Sequence, residues 1–275
     1  MRMTAPLVTP VLVVLPWSWF LVSDRLGVLT DVLAVVLPLL GALTVALAWL
    51  VARRWRRRRA YLVGSSAALA VAVGVLSPWL PADAGAVAPG GAVTVAGGNV
   101  ADVGDSASDL TDLGADLLVV VEMTNELVEP LSAVYPHSYF EDGDPDFGVY
   151  SRLPFRVLEG PSPDLPGLRL AVEGPGGAFV LYALHVPRPW FTDAGPAYQV
   201  SAPEHARLVE LVALRVAAEE APVVVVGDLN TSDRSRQYRQ LTGRAGLVDA
   251  MRGSWTVRPR WGSSLRCCSG STTSW

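Results

Sequence analysis

The stretch Ala221-Pro222-Val223-Val224-Val225-Val226-Gly227-Asp228-Leu229-Asn230 joins four consecutive valines to a carboxylate and an amide. A β-branched run without alternation predicts a strand that is covered on both faces. Open α/β sheets place ligand-binding groups where such strands end, which makes Asp228 and Asn230 candidate site residues. An ordinary turn is the alternative interpretation, because Gly, Asp and Asn all favour turns.

Three apolar segments upstream also end on polar side chains. The segment 92–100 predicts a strand that ends on Asn99, 116–122 predicts one that ends on Glu122, and the alternating segment 177–185 ends on His185. Each residue alone also fits a solvated strand end or a packed histidine. Together with Asp228 and Asn230, they predict one sheet edge that gathers hard oxygen donors, which suit Mg²⁺ or Mn²⁺ rather than zinc.

The remaining pattern predicts strands interleaved with few helices. A short helix is expected within 105–113, a short strand over 147–152, and a longer helix near Pro203, capped by Ser201 or Ala202. Four apolar residues are expected on one face of the longer helix: Leu208, Leu211, Val212 and Leu214. We interpret His205 as a residue on the surface of this helix. The pattern favours a mixed α/β or α+β domain.

The chain as a whole is more apolar than a typical soluble domain, with 51% hydrophobic residues and a mean hydropathy of +0.34 over 275 residues. Three stretches account for this: 6–22, 32–51 and 61–80. Each is long enough, or nearly so, to cross a hydrocarbon core of about 30 Å. The first is short and contains two prolines, so a signal peptide is the alternative, although no small-residue cleavage site stands out.

A run of arginines separates the second and third apolar stretches, Arg53-Arg54-Trp55-Arg56-Arg57-Arg58-Arg59. Such a run could bind nucleic acid, but its place in a tight loop between two spans favours a cytoplasmic anchor. We therefore predict a membrane anchor of three transmembrane helices over 1–80, a Gly/Ala/Pro-rich linker over 81–91, and an extracytoplasmic domain over 92–275. The protein is expected in the cell membrane as a multi-pass protein.

The charge of the outer domain constrains its partners. After Leu80 there are 24 acidic residues and 14 arginines, so the net charge is 14 − 24 = −10 with histidines neutral. Such a surface repels phosphate backbones at long range and disfavours nucleic acid as a partner, although a local site could differ. Proximity to the bilayer favours a lipid phosphate or another phosphorylated small molecule.

Six short motifs resemble those of the endonuclease/exonuclease/phosphatase superfamily, over about 93–250. They are Gly-Asn-Val at 98–100, Val-Glu-Met-Thr at 121–124, Gly-Val-Tyr-Ser-Arg-Leu-Pro at 148–154, Ala-Leu-His-Val-Pro at 183–187, Gly-Asp-Leu-Asn at 227–230 and Gly-Leu-Val-Asp at 246–249. The resemblance implies a four-layer sandwich of two mixed sheets flanked by helices. Three spans before such a domain also resemble a group of bacterial membrane-anchored members, some similar to lipid-pyrophosphate phosphatases.

The resemblance also implies a divalent-metal-dependent hydrolase of phosphate esters or anhydrides. Glu122 would hold the metal with Asn99 beside it, and the metal would neutralise phosphate charge. Asp228 would orient or deprotonate the attacking water, while Asn230 and His185 would donate hydrogen bonds to phosphoryl oxygens. Arg152 would pack or pair with an acid, and His137 and His205 match no motif.

The end of the chain departs from the family pattern. Family members carry a late Ser-Asp-His motif, but here no histidine follows His205 and no acidic residue follows Asp249. The segment 253–275 is rich in Arg, Trp, Ser and Cys without strand alternation, which predicts neither a strand nor a helix. We interpret it as aberrant or truncated, for example read out of frame. The alternative function is then a catalytically impaired membrane protein that binds a phosphorylated ligand or none.

Overall fold

The computed structural model describes Ala46, residues 92–100, 107–143, 146–190, 198–231 and 235–250, and the backbone of 266–269. The chain divides into two compact units. One comprises Met1–Ala82 and Thr231–Arg239, and the other comprises Asp83–Asn230 and Gln240–Trp275. The account below concerns the second unit, except for one short helix of the first.

The described residues form strands and helices that are labelled in chain order. The strands are β1 (Thr94–Asn99), β2 (Leu117–Met123), β3 (His137–Glu141), β4 (Asp146–Ser151), β5 (Phe155–Glu159), β6 (Gly167–Gly174), β7 (Gly177–His185), β8 (Arg188–Trp190), β9 (Gln199–Ser201), β10 (Val223–Asp228) and β11 (Arg266–Ser269). The helices are α1 (Ala107–Thr111), α2 (Val128–Val134), α3 (Ala202–Ala217) and, in the first unit, α4 (Arg236–Arg239). A 3-10 turn covers Asn125–Leu127, and a π-helical turn covers Gln240–Arg244.

Two mixed sheets carry the fold. The first has the strand order β11-β1-β2-β4-β3, and the second has the order β10-β7-β6-β5. In each sheet one parallel pair sits among antiparallel neighbours: β1 with β2 in the first sheet, and β7 with β10 in the second. Parallel pairing brings the carboxyl ends of the two strands to the same edge, which is where the polar residues of the sequence motifs lie.

Three apolar clusters define the layers. The cluster between the sheets takes its side chains from both of them and includes Val119 and Phe147 from the first sheet and Leu170 and Leu181 from the second. A second cluster packs the outer face of the first sheet against α1 and α2, and a third packs the outer face of the second sheet against α3. The predicted sandwich of two mixed sheets flanked by helices is thus confirmed.

The valine run forms β10 as predicted. Val224 and Val226 pack into the cluster between the sheets, and Val223 and Val225 pack into the cluster beneath α3, so both faces of the strand are covered. Of the four valines only Val226 is buried, because β10 is an edge strand whose other side has no neighbour among the described strands. Gly227 lies inside this strand rather than in a turn.

Helix α3 begins as predicted, with the Ser201 hydroxyl accepting a hydrogen bond from the Glu204 amide. Its apolar face differs from the prediction. Leu208 and Val212 are buried, but Leu214 is 42% exposed, because six residues at about 100° each place it far around the helix from Leu208. The prediction that His205 lies on the helix surface is wrong, since its side chain is buried on the same stripe as Leu208.

Part of the C-terminal segment adopts a strand. β11 pairs antiparallel with β1 and aligns Thr94 with Ser269 and Gly97 with Arg266. The prediction that 253–275 contains no strand is therefore wrong for these four residues. The interpretation of the segment as aberrant or truncated stays a prediction.

The predicted anchor falls outside the described residues, apart from Ala46, which is helical. Across the part of the chain that the structure describes, no helix has both the length and the apolar character needed to cross a membrane.

Candidate metal and phosphate site

Five of the sequence-predicted residues converge at the carboxyl ends of strands from both sheets. Asn99 ends β1, His185 ends β7, Asp228 ends β10, and Asn230 follows two residues later. Glu122 is the second-last residue of β2 and lies at a bulge, because Val121 pairs with Phe147 and Met123 with Asp146 while Glu122 is left out of the register. The structure thus brings every one of the five predicted site residues to one place.

The two sheets approach closely just behind this site. A Cβ at Gly97 would lie 2.6 Å from Cγ1 of Val226, so the glycine in β1 allows β10 to come near. Gly227 has a φ of 129°, and a Cβ there would lie 1.8 Å from the Leu184 carbonyl oxygen. These two glycines explain how Asn99 on one sheet reaches Asp228 on the other.

Asn99 connects the two carboxylates. Its Nδ2 lies 2.9 Å from Oε1 of Glu122 and 3.0 Å from Oδ2 of Asp228. The amide therefore presents its nitrogen to both acids. Its predicted place beside Glu122 agrees with this geometry, whereas its role as a metal ligand stays a prediction.

Backbone strain orients two of these side chains. Glu122 has a φ of 53° and Asn230 a φ of 47°, both in the left-handed region that non-glycine residues rarely adopt. The Asn230 amide nitrogen donates to Oδ1 of Asp228 at 2.9 Å, and its Nδ2 donates to the Val186 carbonyl at 2.8 Å. Such strain persists where surrounding contacts over-determine a conformation, and it clusters at functional sites.

Glu122, His185 and Asp228 form a group that could hold a metal ion, since one ligand atom from each lies within 4.8 Å of the others. Nε2 of His185 lies 3.5 Å from Oε1 of Glu122, which is too long for a good hydrogen bond. Neither ring nitrogen of this buried histidine has a hydrogen-bond partner among the described residues. An orphaned buried imidazole beside two carboxylates fits a site that receives a further polar group.

Burial and charge act in opposite directions on the acid and the histidine. Burial raises the pKa of Glu122, but hydrogen bonds from Arg188 and Asn99, with the positive charge of Arg188, lower it below its ordinary value overall. Burial lowers the pKa of His185, and this outweighs the opposing effect of Asp228 and Glu122. At neutral pH the site therefore holds an ionised Glu122 and a neutral imidazole.

The sequence model of the endonuclease/exonuclease/phosphatase family matches residues 96–274, well over half of the chain. The chain belongs to this family. Among solved structures, the crystal structure of TDP2 from C. elegans is similar at 15% sequence identity and a TM-score of 0.38, over 85% of this chain and 68% of that chain. A comparison with curated proteins finds no match.

Family motifs did not point to two further residues of the site. Arg188, at the start of β8, donates from Nη2 to Oε1 of Glu122. Tyr198 lies just before β9, donates its hydroxyl to the His185 carbonyl, and places its ring 4.1 Å from the imidazole. Arg188 opens a three-residue strand and Tyr198 lies just outside a strand of the same length, and segments this short show no periodicity that could have drawn attention to either residue.

Three further residues considered in the sequence analysis either lie away from the site or contact it only through the backbone. Arg152 donates to the Gly114 carbonyl at 3.3 Å and lies over the ring of Tyr135, so it packs as expected. His137 lies on β3. His205 does not enter the site, but its Nε2 lies 3.1 Å from the Leu229 carbonyl, between Asp228 and Asn230. A histidine three residues before Leu208 falls on the buried stripe, and that spacing could have revealed it.

Proposed function

We propose that this endonuclease/exonuclease/phosphatase-family chain is a divalent-metal-dependent phosphoesterase that hydrolyses phosphate esters or anhydrides. The observation that carries the proposal is the convergence of Glu122, His185 and Asp228 within 4.8 Å at one edge of the sandwich. Mg²⁺ or Mn²⁺ is the proposed ion, because the two carboxylates are hard oxygen donors. When bound, the ion would neutralise phosphate charge and stabilise the leaving oxygen.

Asp228 is the proposed group that orients or deprotonates the attacking water. Oδ1 of its carboxylate accepts a hydrogen bond from the backbone N–H of Asn230, and Oδ2 accepts one from Nδ2 of Asn99. These two hydrogen bonds fix the orientation of the carboxylate. A held carboxylate loses little freedom when it accepts a proton or a hydrogen bond from water.

His185 and Asn230 are the proposed donors to the phosphoryl oxygens. The imidazole is neutral and therefore carries one N–H, and neither of its nitrogens has a hydrogen-bond partner among the described residues. The side-chain amide of Asn230 donates one of its two N–H groups to the Val186 carbonyl, and its second N–H is the proposed donor to the ligand. Fixed donors of this kind stabilise the charge that builds on the phosphoryl oxygens.

A metal-dependence assay tests the proposal. The full-length chain would be assayed with Mg²⁺ or Mn²⁺ on an artificial phosphodiester and on a prenyl pyrophosphate. We expect metal-dependent turnover that falls by about a hundredfold or more in Glu122→Ala. The matched control is Glu126→Ala, which removes an exposed acid from the same chain segment. Turnover that survives Glu122→Ala would show that the site has been misplaced.

A second function is favoured by one observation in the sequence: no histidine follows His205 and no acid follows Asp249. A chain that lacks the late Ser-Asp-His motif could retain ligand binding with strongly impaired hydrolysis. The same assay, together with a measurement of pyrophosphate binding, separates the two functions, because an impaired protein would turn over neither substrate and would bind pyrophosphate in a metal-dependent manner or not at all. Sequencing the gene would test whether 253–275 is read in a shifted frame.

We propose further that the domain is anchored in the cell membrane and faces outward, with a phosphorylated small molecule or lipid phosphate as substrate. The support is the three apolar stretches, the arginine loop between them and the acidic charge after Leu80. Two single-cysteine variants test this topology. Both have Cys267 and Cys268 replaced by serine, and one adds Ala86→Cys while the other adds Arg57→Cys. A membrane-impermeant maleimide should label the first and spare the second in intact cells, and the reverse pattern would invert the topology.

A further inference from the structure

Arg188 donates a hydrogen bond to the Glu122 carboxylate, which is the proposed metal ligand. Its guanidinium donates to Oε1 of Glu122, which is the same oxygen that accepts from Asn99 and lies 3.5 Å from His185. Two cations cannot occupy one carboxylate oxygen without strong mutual repulsion. The guanidinium and a divalent ion are therefore competitors for Glu122.

The surroundings allow the guanidinium to move away while its backbone stays in place. The Arg188 amide donates to the Tyr198 carbonyl at 3.2 Å, and the residue pairs with Gln199 in the β8–β9 ladder, so its Cα is held. Its side chain is 43% exposed, whereas that of Glu122 is only 11% exposed. The arginine therefore reaches in from the solvent side, and rotation about its side-chain torsions is enough to release the carboxylate.

The released guanidinium would remain beside the proposed phosphoryl site. Arg188 and His185, one of the proposed phosphoryl donors, both lie against Oε1 of Glu122, so the guanidinium and the imidazole flank the same carboxylate oxygen. A guanidinium binds two phosphoryl oxygens at once through its planar fork of N–H groups, and it stays charged at every physiological pH.

We propose that Arg188 exchanges partners, pairing with Glu122 in the metal-free protein and binding the substrate's phosphoryl group once a divalent ion occupies Glu122. This inference rests on the proposed function, because it takes Glu122 as the metal ligand and a phosphoryl group as the substrate's reacting part. It adds a cation that competes with the metal and then assists substrate binding. Arg188 is thus a substrate-binding residue in the loaded site and a counter-ion in the metal-free one.

Binding measurements without turnover test the exchange. In Arg188→Gln, we expect Mn²⁺ to bind about fivefold more tightly by titration calorimetry, because its competitor is gone. Inorganic phosphate and pyrophosphate should bind the Mn²⁺-loaded variant about tenfold more weakly. Arg188→Lys keeps the charge without the fork, so it should bind Mn²⁺ like the wild type but still lose phosphate affinity.

Arg152→Gln is the matched control. That arginine also follows a strand, and its guanidinium is bound to the Gly114 carbonyl and packed over Tyr135, away from the site. Neither its Mn²⁺ affinity nor its phosphate affinity should change. If Arg188→Gln leaves Mn²⁺ affinity unchanged or lowers it, or leaves phosphate affinity unchanged, the exchange is overturned.

The failure of the exchange can be told apart from failure of the proposed function. Glu122→Gln tests the metal site itself and should weaken Mn²⁺ binding at least tenfold. If Glu122→Gln weakens Mn²⁺ binding but Arg188→Gln changes nothing, only the exchange is wrong. If Glu122→Gln binds Mn²⁺ like the wild type, the metal site and the exchange both fail.

Discussion

The amide nitrogen of Asn99 lies 3.0 Å from Oδ2 of Asp228, although the two residues belong to different sheets and are 129 positions apart. The same nitrogen lies 2.9 Å from Oε1 of Glu122. One neutral donor thus joins two acids that would otherwise repel each other at a partly buried edge. The hydrogen bond to Asp228 therefore joins the two sheets at the edge where the site lies.

Removing this donor should destabilise the metal-free protein. In Asn99→Ala, the two carboxylates lose a shared hydrogen bond, and we expect the free energy of unfolding in EDTA to fall by about 2 kcal/mol. Asn99→Asp should lose more, because it adds a third carboxylate, and millimolar Mn²⁺ should recover part of that loss. Urea titrations measure both effects, and an unchanged midpoint for Asn99→Asp in EDTA would contradict the predicted repulsion.

Gly227 should tolerate no side chain. In Gly227→Ala, the Cβ would meet the Leu184 carbonyl oxygen at 1.8 Å with the backbone at a φ of 129°, so we expect a loss of about 3 kcal/mol or more. Gly160→Ala is the control, because a Cβ there meets no atom within 4 Å. Thermal unfolding of both variants measures the difference. Equal stability would mean that Gly227 lies in an open turn rather than in a packed strand.

His205 should act as a positioning residue for the Asp228 and Asn230 loop. In His205→Leu, the Leu229 carbonyl loses its donor, and we expect a loss of about 1–3 kcal/mol in stability together with a lower kcat at an unchanged KM. His205→Gln can place an amide N–H near the position of Nε2 and should recover part of both. A stability loss without any effect on kcat, or no rescue by glutamine, would assign His205 to the core alone.

The ion pair between Glu219 and Arg169 should make stability depend on pH in the acid range. Two hydrogen bonds from Arg169, at 2.5 and 2.9 Å, and one from the Tyr182 hydroxyl reach the carboxylate. The bonds from Arg169 lower the pKa of Glu219 below its ordinary value of 4.5, although burial opposes them. The carboxylate contributes stability that is fully present above about pH 4.5 and is lost as the pH falls through the lowered folded-state pKa.

Glu219→Gln measures this contribution. We expect it to lower the free energy of unfolding by about 2 kcal/mol at pH 7, and the difference from the wild type should shrink as the pH is lowered past 4. Glu210→Gln is the control, because Glu210 pairs with Arg244 on the exposed surface and such pairs contribute little. A difference for Glu219→Gln that stays constant from pH 7 to pH 3 would exclude the ion pair as its source.

Much of the candidate site was accessible from local pattern. Asn99, Glu122, His185 and Asp228 could be selected because each lies at the end of an apolar run, and parallel pairing brings such ends to one edge. The layers of the sandwich followed from the family motifs. Arg188 and Tyr198 could not be selected, because Arg188 begins a three-residue strand and Tyr198 precedes another, and segments this short have no period that marks which side chain turns inward.

Helix α3 likewise has features that the sequence could predict and features that it could not. Its start at Ser201 was readable from capping chemistry, since a serine before Ala-Pro-Glu satisfies an amide of the first turn. The spacing to Leu208 could place His205 on the buried stripe, but it could not reveal the role of the imidazole, because that role depends on which distant group supplies its hydrogen-bonding partner. That partner is the Leu229 carbonyl, 24 residues away.

Strand positions, the polar residues that close them and the membership of the endonuclease/exonuclease/phosphatase family were encoded in short stretches of chain, because apolar runs and motif spacing are local properties. The distances among Glu122, His185 and Asp228, the left-handed backbone of Glu122 and the contact of Arg188 with its carboxylate arise only in the tertiary structure. They depend on how closely β1 and β10 approach across Gly97 and Val226, and packing between residues far apart in sequence sets that approach.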